Sequence, residues 1–180
     1  MDAKSRNART QARIRRAAMT ARAEDQVREL DAQLGAQSIV AIYRDRVLTQ
    51  RTRRYEMLAP RKKTDVEILH TLLGIELKIG RKRLLCPDLA TARYLSIFAR
   101  LGCSAIALPY DITQISWLAD ELESGWHRML LLIGHLTQGR TERFRKSVVS
   151  RVVEGIRASI EALGAGNKFP EFNQKTRQRP

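Results

Sequence analysis

Residues 83–109 read RLLCPDLATARYLSIFARLGCSAIALP, and this stretch decides the fold class. Arg83–Cys86 is a short apolar run. Pro87 and Asp88 open a helix that extends to Leu101, with Ala92, Leu95 and Phe98 on one side and Arg93, Ser96 and Arg100 on another. Gly102 is placed to stop that helix. Ser104–Leu108 then reads as a buried strand closed by Pro109. A strand, a helix and a strand in this order predict a right-handed crossover joining two parallel strands.

Upstream, Ile75–Ile79 alternates apolar and charged residues and predicts a strand, with Gly80–Lys82 as the turn that follows. Thr64 and Glu67 have the spacing of a capping box, which predicts a short helix over 65–73 ended by Gly74. Ser38–Tyr43 is β-branched and aromatic enough to predict a strand. Residues 44–63 are compatible with a helix through Met57 or with a hairpin. Residues 8–34 contain no Gly or Pro and many helix formers, and Gly35 can stop that helix. Its apolar stripe, Ile14, Ala18, Ala21, Val27, Leu30 and Leu34, is thin, so the helix should dock weakly or order on a partner.

Downstream, Ile115, Leu118, Leu122, Trp126, Met129, Ile133 and Leu136 recur at steps of three and four and predict a long amphipathic helix over 112–136. Val148, Val149, Val152, Val153, Ile156, Ile160 and Leu163 do the same for 140–163. The expected architecture is α/β: a small mixed sheet with a strand–helix–strand crossover, covered by two long C-terminal helices, plus a basic N-terminal helix. The expected organisation is a basic arm over 1–35, an α/β domain over 36–163 and a basic, unstructured tail over 164–180.

The net charge of +14 is not spread evenly. Residues 1–63 hold 16 Lys/Arg against 7 Asp/Glu, residues 64–137 hold 7 against 8, and residues 138–180 hold 10 against 4. A neutral, apolar middle between basic ends predicts a folded module whose arms meet a polyanion. Arginine dominates, and its planar fork suits bidentate contacts to phosphate oxygens. The candidate contacts at the N-terminal side are Arg13, Arg15, Arg16, Arg51, Arg53, Arg54, Arg61, Lys62 and Lys63. Further along they are Arg81, Lys82, Arg83, Arg140, Arg143, Arg145 and Lys146. An anionic membrane surface or an acidic protein would use the same side chains. Tyr43, Tyr55 and Tyr94 are too scattered in sequence to form a base-stacking platform.

Asp65, followed by Glu76-Leu-Lys78, is the pattern with the sharpest chemical content. On a strand Glu76 and Lys78 share a face. Two carboxylates can hold a divalent cation against a scissile phosphate while a lysine orients the attacking water. Over residues 65–111 the chain resembles the PD-(D/E)xK nuclease superfamily, whose core order is Asp…ExK followed by a helix and a strand. The resemblance implies catalysis by Asp65, Glu76 and Lys78, Mg²⁺ or Mn²⁺ held by Asp65 and Glu76, and a further acid at Glu24 or Glu29. It also implies that Asp65 lies on or beside a strand paired with the ExK strand, whereas the capping box places Asp65 at a helix N-terminus.

Other site classes lack their residues. His70, His127 and His135 are isolated from one another, and Cys86 and Cys103 have no zinc-site spacing, so buried free thiols are expected. No nucleophile elbow, P-loop or dinucleotide fingerprint is present. No segment approaches the roughly 20 apolar residues of a membrane span. Two cysteines and no secretory signal fit a reducing compartment and a cytoplasmic location, although residues 3–23, with seven Lys/Arg and no acid, also resemble an organelle transit peptide. Three functions follow from the sequence. The first is nucleic-acid binding (DNA or RNA) through phosphate contacts, with low sequence specificity and no cofactor. The second is a metal-dependent nuclease, and the third is an assembly factor with protein partners in a larger complex.

Overall fold

The computed structural model describes residues 3–57 and 65–166. Helix α1 spans Ala3–Leu34, and a short helix α2, Ile39–Ile42, runs on into a π turn over Tyr43–Val47. Strands follow at Thr52–Glu56 (β1), Val66–Thr71 (β2), Gly74–Ile79 (β3) and Lys82–Cys86 (β4). Helix α3 (Leu89–Leu101), strand β5 (Ala105–Pro109) and helices α4 (Ile112–Leu136) and α5 (Glu142–Leu163) complete the order. The α/β class, the two long C-terminal helices and the N-terminal helix are as the sequence predicts. Among the described residues no helix is long and apolar enough to cross a membrane.

The helices that sequence places correctly carry strong local signals. The Asp88 carboxylate accepts from the Thr91 amide at 2.7 Å, and Gly102 ends α3 at φ 76°. The Asp111 carboxylate caps α4 through the Thr113 amide at 2.9 Å, and the Thr141 hydroxyl caps α5 through the Phe144 amide. Between α3 and α4, Arg93 reaches both Asp120 and Glu123, consuming one cation and two carboxylates inside the fold.

The predicted parallel crossover does not form. β4 belongs to a three-stranded antiparallel sheet in the order β2-β3-β4, whereas β5 pairs antiparallel with β1 in a separate two-stranded ribbon. Both edges of β5 are occupied. On one edge Arg53 faces Leu108 and Tyr55 faces Ile106. On the other, the Ala107 amide donates to the Tyr43 hydroxyl at 2.8 Å and the Ala107 carbonyl accepts from the Tyr94 hydroxyl at 2.7 Å. No strand edge is left for β4. Pro109 fits because it faces Thr52, alternating with pairs such as Arg51 and Tyr110 that do exchange a ladder bond.

Two further elements depart from the sequence reading. Ser38–Tyr43 is not a strand: the Ser38 hydroxyl accepts from the Ala41 amide at 3.1 Å and starts α2, which buries Ile39, Ala41 and Ile42. Burial in a helical turn outweighs the weak strand preference of β-branched residues. Residues 65–73 are likewise not a helix but lead into β2, paired with β3 from Val66↔Ile79 to Thr71↔Gly74. Thr64 lies outside the described residues, and Glu67, its expected capping partner, instead pairs with Lys78. Leu72 and Leu73 form the turn without a positive φ, so Gly74, at φ 118°, takes up the reversal that a primed turn would supply. The Thr71 hydroxyl steadies it, accepting from the Leu73 amide at 3.2 Å and donating to the Gly74 carbonyl at 3.1 Å.

Tyr43 ties these layers together. Its hydroxyl also donates to the Gly164 carbonyl at 2.8 Å, fastening the end of α5 to β5, and its ring meets Phe98 edge-on at 5.6 Å. The chain beyond α5 then passes so close to the ribbon that a Cβ at Gly166 would lie 2.7 Å from the Thr52 hydroxyl oxygen. α1 packs its C-terminal part on α5 and α4: Leu30 and Leu34 are buried, and the Gln26 side chain donates to the Leu136 carbonyl at 2.9 Å. Every described side chain from Thr10 to Asp25 is exposed, as the thin stripe predicts.

Replacing Tyr43 by Phe removes one acceptor and one donor from buried backbone groups, and should cost about 2–4 kcal/mol by chemical denaturation. Burial pushes the Tyr43 phenol up to about 12, raises Tyr94 in the same direction and pushes the Cys103 thiol up to about 12. An unfolded thiol titrates near 8.5 and an unfolded phenol near 10, so the unfolded chain loses these protons first. Stability is therefore fully retained below about pH 8 and should fall as pH rises from about 9 towards 12, a trend that Tyr43→Phe should flatten.

Candidate nucleic-acid interface

The sequence-predicted bases fall at two poles. At one, Leu136 ends α4 and is bonded to Gln26 of α1, and six residues later Glu142 begins α5. Arg140, Arg143, Arg145 and Lys146 around the start of α5 are exposed here, and Arg13 is exposed further along α1. Lys146 pairs with Glu142 at 3.7 Å, whereas Arg140, Arg143 and Arg145 have no salt bridge among the described residues. The side chains of Arg15 and Arg16 lie outside the described set. The other pole holds the β1–β5 ribbon and the three-stranded sheet. Since α5 has 22 residues and its far end is bonded to Tyr43, the poles are ~33 Å apart, the length of about 10 base pairs.

At the ribbon pole Arg51 lies over the Tyr110 ring at 5.2 Å, and Arg54 pairs with Glu56 at 3.5 Å. Arg53 is exposed without a salt bridge among the described residues, as are Arg81 and Lys82 at the β3–β4 turn. Arg61, Lys62 and Lys63 lie outside the described residues. Arg83 reaches Glu76 at 3.3 Å. The bases thus sort into those neutralised by a neighbouring carboxylate and those left open to an external anion. Surface pairs of this kind are weak and exchange readily with an external anion.

The structure does not bring Asp65, Glu76 and Lys78 together. All three alternate onto the outer face of the sheet, and Asp65 does sit beside a strand paired with the ExK strand, as the resemblance implies. The register, however, sets Glu76 opposite Leu69 and Asp65 next to Gly80, whose amide donates to the Asp65 carbonyl. Four residues of strand separate them, ~13 Å at the usual rise. Lys78 is held by Glu67 at 2.9 Å rather than by Glu76. Glu76 is 7% exposed and accepts from the Thr71 hydroxyl at 3.3 Å besides its contact with Arg83. Glu29 is exposed on α1, bonded to Gln33, and the side chain of Glu24 lies outside the described residues. No group of three His, Cys, Asp or Glu positioned for a metal occurs among the described residues. Both cysteines are free and buried, and burial raises both thiols.

Comparison of the chain with protein-family models, with curated proteins and with solved structures finds no match.

Two aromatic residues that sequence reading passed over stand at the ribbon pole. Trp117 on α4 is 44% exposed and Tyr110 is 39% exposed, with Ile112 exposed between them in sequence. The Arg46 guanidinium lies over the Trp117 ring at 5.1 Å and is fixed there by Glu121 at 2.6 Å. Two acceptors beside these arginines, Gln50 Oε1 and Glu121 Oε2, are buried with no hydrogen-bond partner among the described residues. The available signal was the position of Trp117, which falls off the stripe of Ile115, Leu118 and Leu122 on the polar face of an amphipathic helix.

Because Asp65 and Glu76 are too far apart to share one cation, millimolar Mg²⁺ or Mn²⁺ should leave the melting temperature within about 1 °C of its metal-free value.

Proposed function

We propose that this chain binds nucleic acid, DNA or RNA, mainly through its phosphate backbone and with little sequence specificity. One observation carries this reading. Arg53, Arg81, Lys82, Arg140, Arg143 and Arg145 are exposed with no salt bridge among the described residues, whereas Lys78, Arg83 and Arg93 each face a carboxylate. Exposed cations on a chain of net charge +14 repel one another, and a polyanion relieves that repulsion. Their placement at two poles ~33 Å apart suits an extended ligand better than a small anion. Neutralising phosphates releases condensed counterions, so affinity should track salt rather than sequence.

The test is the salt dependence of binding to labelled duplex and single-stranded oligonucleotides of unrelated sequence, read by fluorescence anisotropy. Affinity should fall steeply between 50 and 200 mM salt, with a slope of log K against log salt of about −0.9 per duplex phosphate neutralised. Replacing Arg140, Arg143 and Arg145 together by Ala should reduce that slope by about 2–3 if all three contact phosphates. An affinity that is flat over this range would sink the proposal.

A further inference from the structure

We infer that α1 is a grip for the major groove of duplex DNA, so that the chain prefers B-form DNA to duplex RNA. This rests on the nucleic-acid reading above and narrows it to one helix and one class of polymer.

α1 runs unbroken over Ala3–Leu34, but only its last turns belong to the body. Leu30 and Leu34 are buried there, and Gln26, bonded to the Leu136 carbonyl, is the first described side chain of the helix that is not exposed. The stretch before it, 3–25, is a rod ~34 Å long at the usual helical rise. Residues 3–23 of that rod hold seven Lys/Arg, seven Ala and no acid. The bases do not share one side. At 3.6 residues per turn, positions 4, 15 and 22 fall on one side of the helix and positions 6, 9, 13 and 16 on the opposite side, and each is Lys or Arg.

A helix resting on an anionic membrane needs its bases on one face and a continuous apolar face opposite. α1 has neither: its alanines are spread all round, Ala3 and Ala17 against Ala8 and Ala12, and Ile14 is 63% exposed. Two opposed rows of cations suit a channel with an anionic wall on each side, which is the cross-section of a duplex groove between its two phosphate backbones. The major groove of B-form DNA, about 12 Å wide, admits a helix of about 10–12 Å diameter, whereas that of A-form RNA is too narrow. The short alanines between the bases let the helix approach the groove floor, where they meet thymine methyls. The root of the rod adds a second contact. Leu136, to which Gln26 is bonded, lies four residues before Arg140. Arg140, Arg143 and Arg145 are exposed with no salt bridge among the described residues, and from this place they meet the backbone that borders the groove.

The experiment uses the full chain with a twenty-base-pair DNA duplex, the RNA duplex of the same sequence and the single strands, read by fluorescence anisotropy at matched salt. Wild type should bind the DNA duplex at least about tenfold more tightly than the RNA duplex. Ala17→Pro breaks the rod at an exposed position without changing its charge. It should weaken DNA-duplex binding about 10- to 100-fold and leave both RNA-duplex binding and the melting temperature nearly unchanged. Replacing Lys4, Arg15 and Arg22 together by Ala should lower the DNA salt slope by about 3, and replacing Arg6, Arg9, Arg13 and Arg16 by about 4. Both rows should count, because a helix lying outside the groove touches one backbone and uses one row. Guanine N7, which faces the major groove, should be protected from methylation by dimethyl sulfate, and adenine N3, in the minor groove, should not. A slope lowered by one row alone, DNA binding indifferent to Ala17→Pro, N7 left open to methylation, or RNA duplex bound as tightly as DNA would each overturn the groove assignment while leaving salt-dependent phosphate binding intact. Absence of binding to any of these nucleic acids at low salt would overturn both readings.

Discussion

The peptide unit of Ala107 is held on both sides by phenols. Its amide donates to Tyr43 and its carbonyl accepts from Tyr94, and both rings are completely buried. A two-stranded ribbon inside a protein leaves polar backbone on its inner edge, and each unpaired buried peptide group costs about 1–3 kcal/mol, a sizeable part of a chain's net stability. Two hydroxyls remove that cost with no third strand. Tyr43 then uses its remaining proton on the carbonyl of Gly164, so one side chain joins α2, β5 and the end of α5. Phe98 packs against both rings and brings α3 into the same cluster.

This arrangement also places the charged surface. Fastening the end of α5 to the ribbon sends its basic first turns to the far end of the molecule, beside the exposed part of α1. The ribbon keeps Arg51, Arg53 and Arg54 at its own pole, near the Arg46–Trp117 pair. In the body between them Arg93 is held by Asp120 and Glu123, and on the sheet Arg83 and Lys78 each have a carboxylate partner. A ligand that spans both poles has to be long.

The Asp65–Lys78 region shows how little a short motif says about strand register. Local capping signals argue for a helix at 65–73, yet β2 pairs with β3 because Val66 and Ile68 face the core alongside Ile79 and Leu77. That pairing restores the strand the nuclease-like pattern requires. The same register carries Asp65 four residues past the row of Glu76 and gives Lys78 to Glu67. A tripeptide and a distant acid do not specify register. The two-residue turn at Leu72–Leu73 and its glycine decide it.

Residues with strong local rules were legible in the sequence: Asp88 and Gly102 around α3, the three-and-four spacing of α4 and α5, and the alternation of β3. Each is set by interactions within a few residues, so no knowledge of the rest of the chain is needed. The charge distribution was equally legible, since it depends on composition alone. Ser38–Tyr43, residues 65–73 and the partner of β5 were not, because short segments take whichever state their distant neighbours bury and hydrogen-bond best. Tyr110 and Trp117 belong to the same class: as sequence they are isolated aromatics, and only tertiary packing sets Arg51 and Arg46 over their rings. Sequence determined the capped and periodic elements and the charge, and tertiary structure decided the short segments and which edges are closed, because unsatisfied backbone and exposed faces are properties of contacts between distant residues.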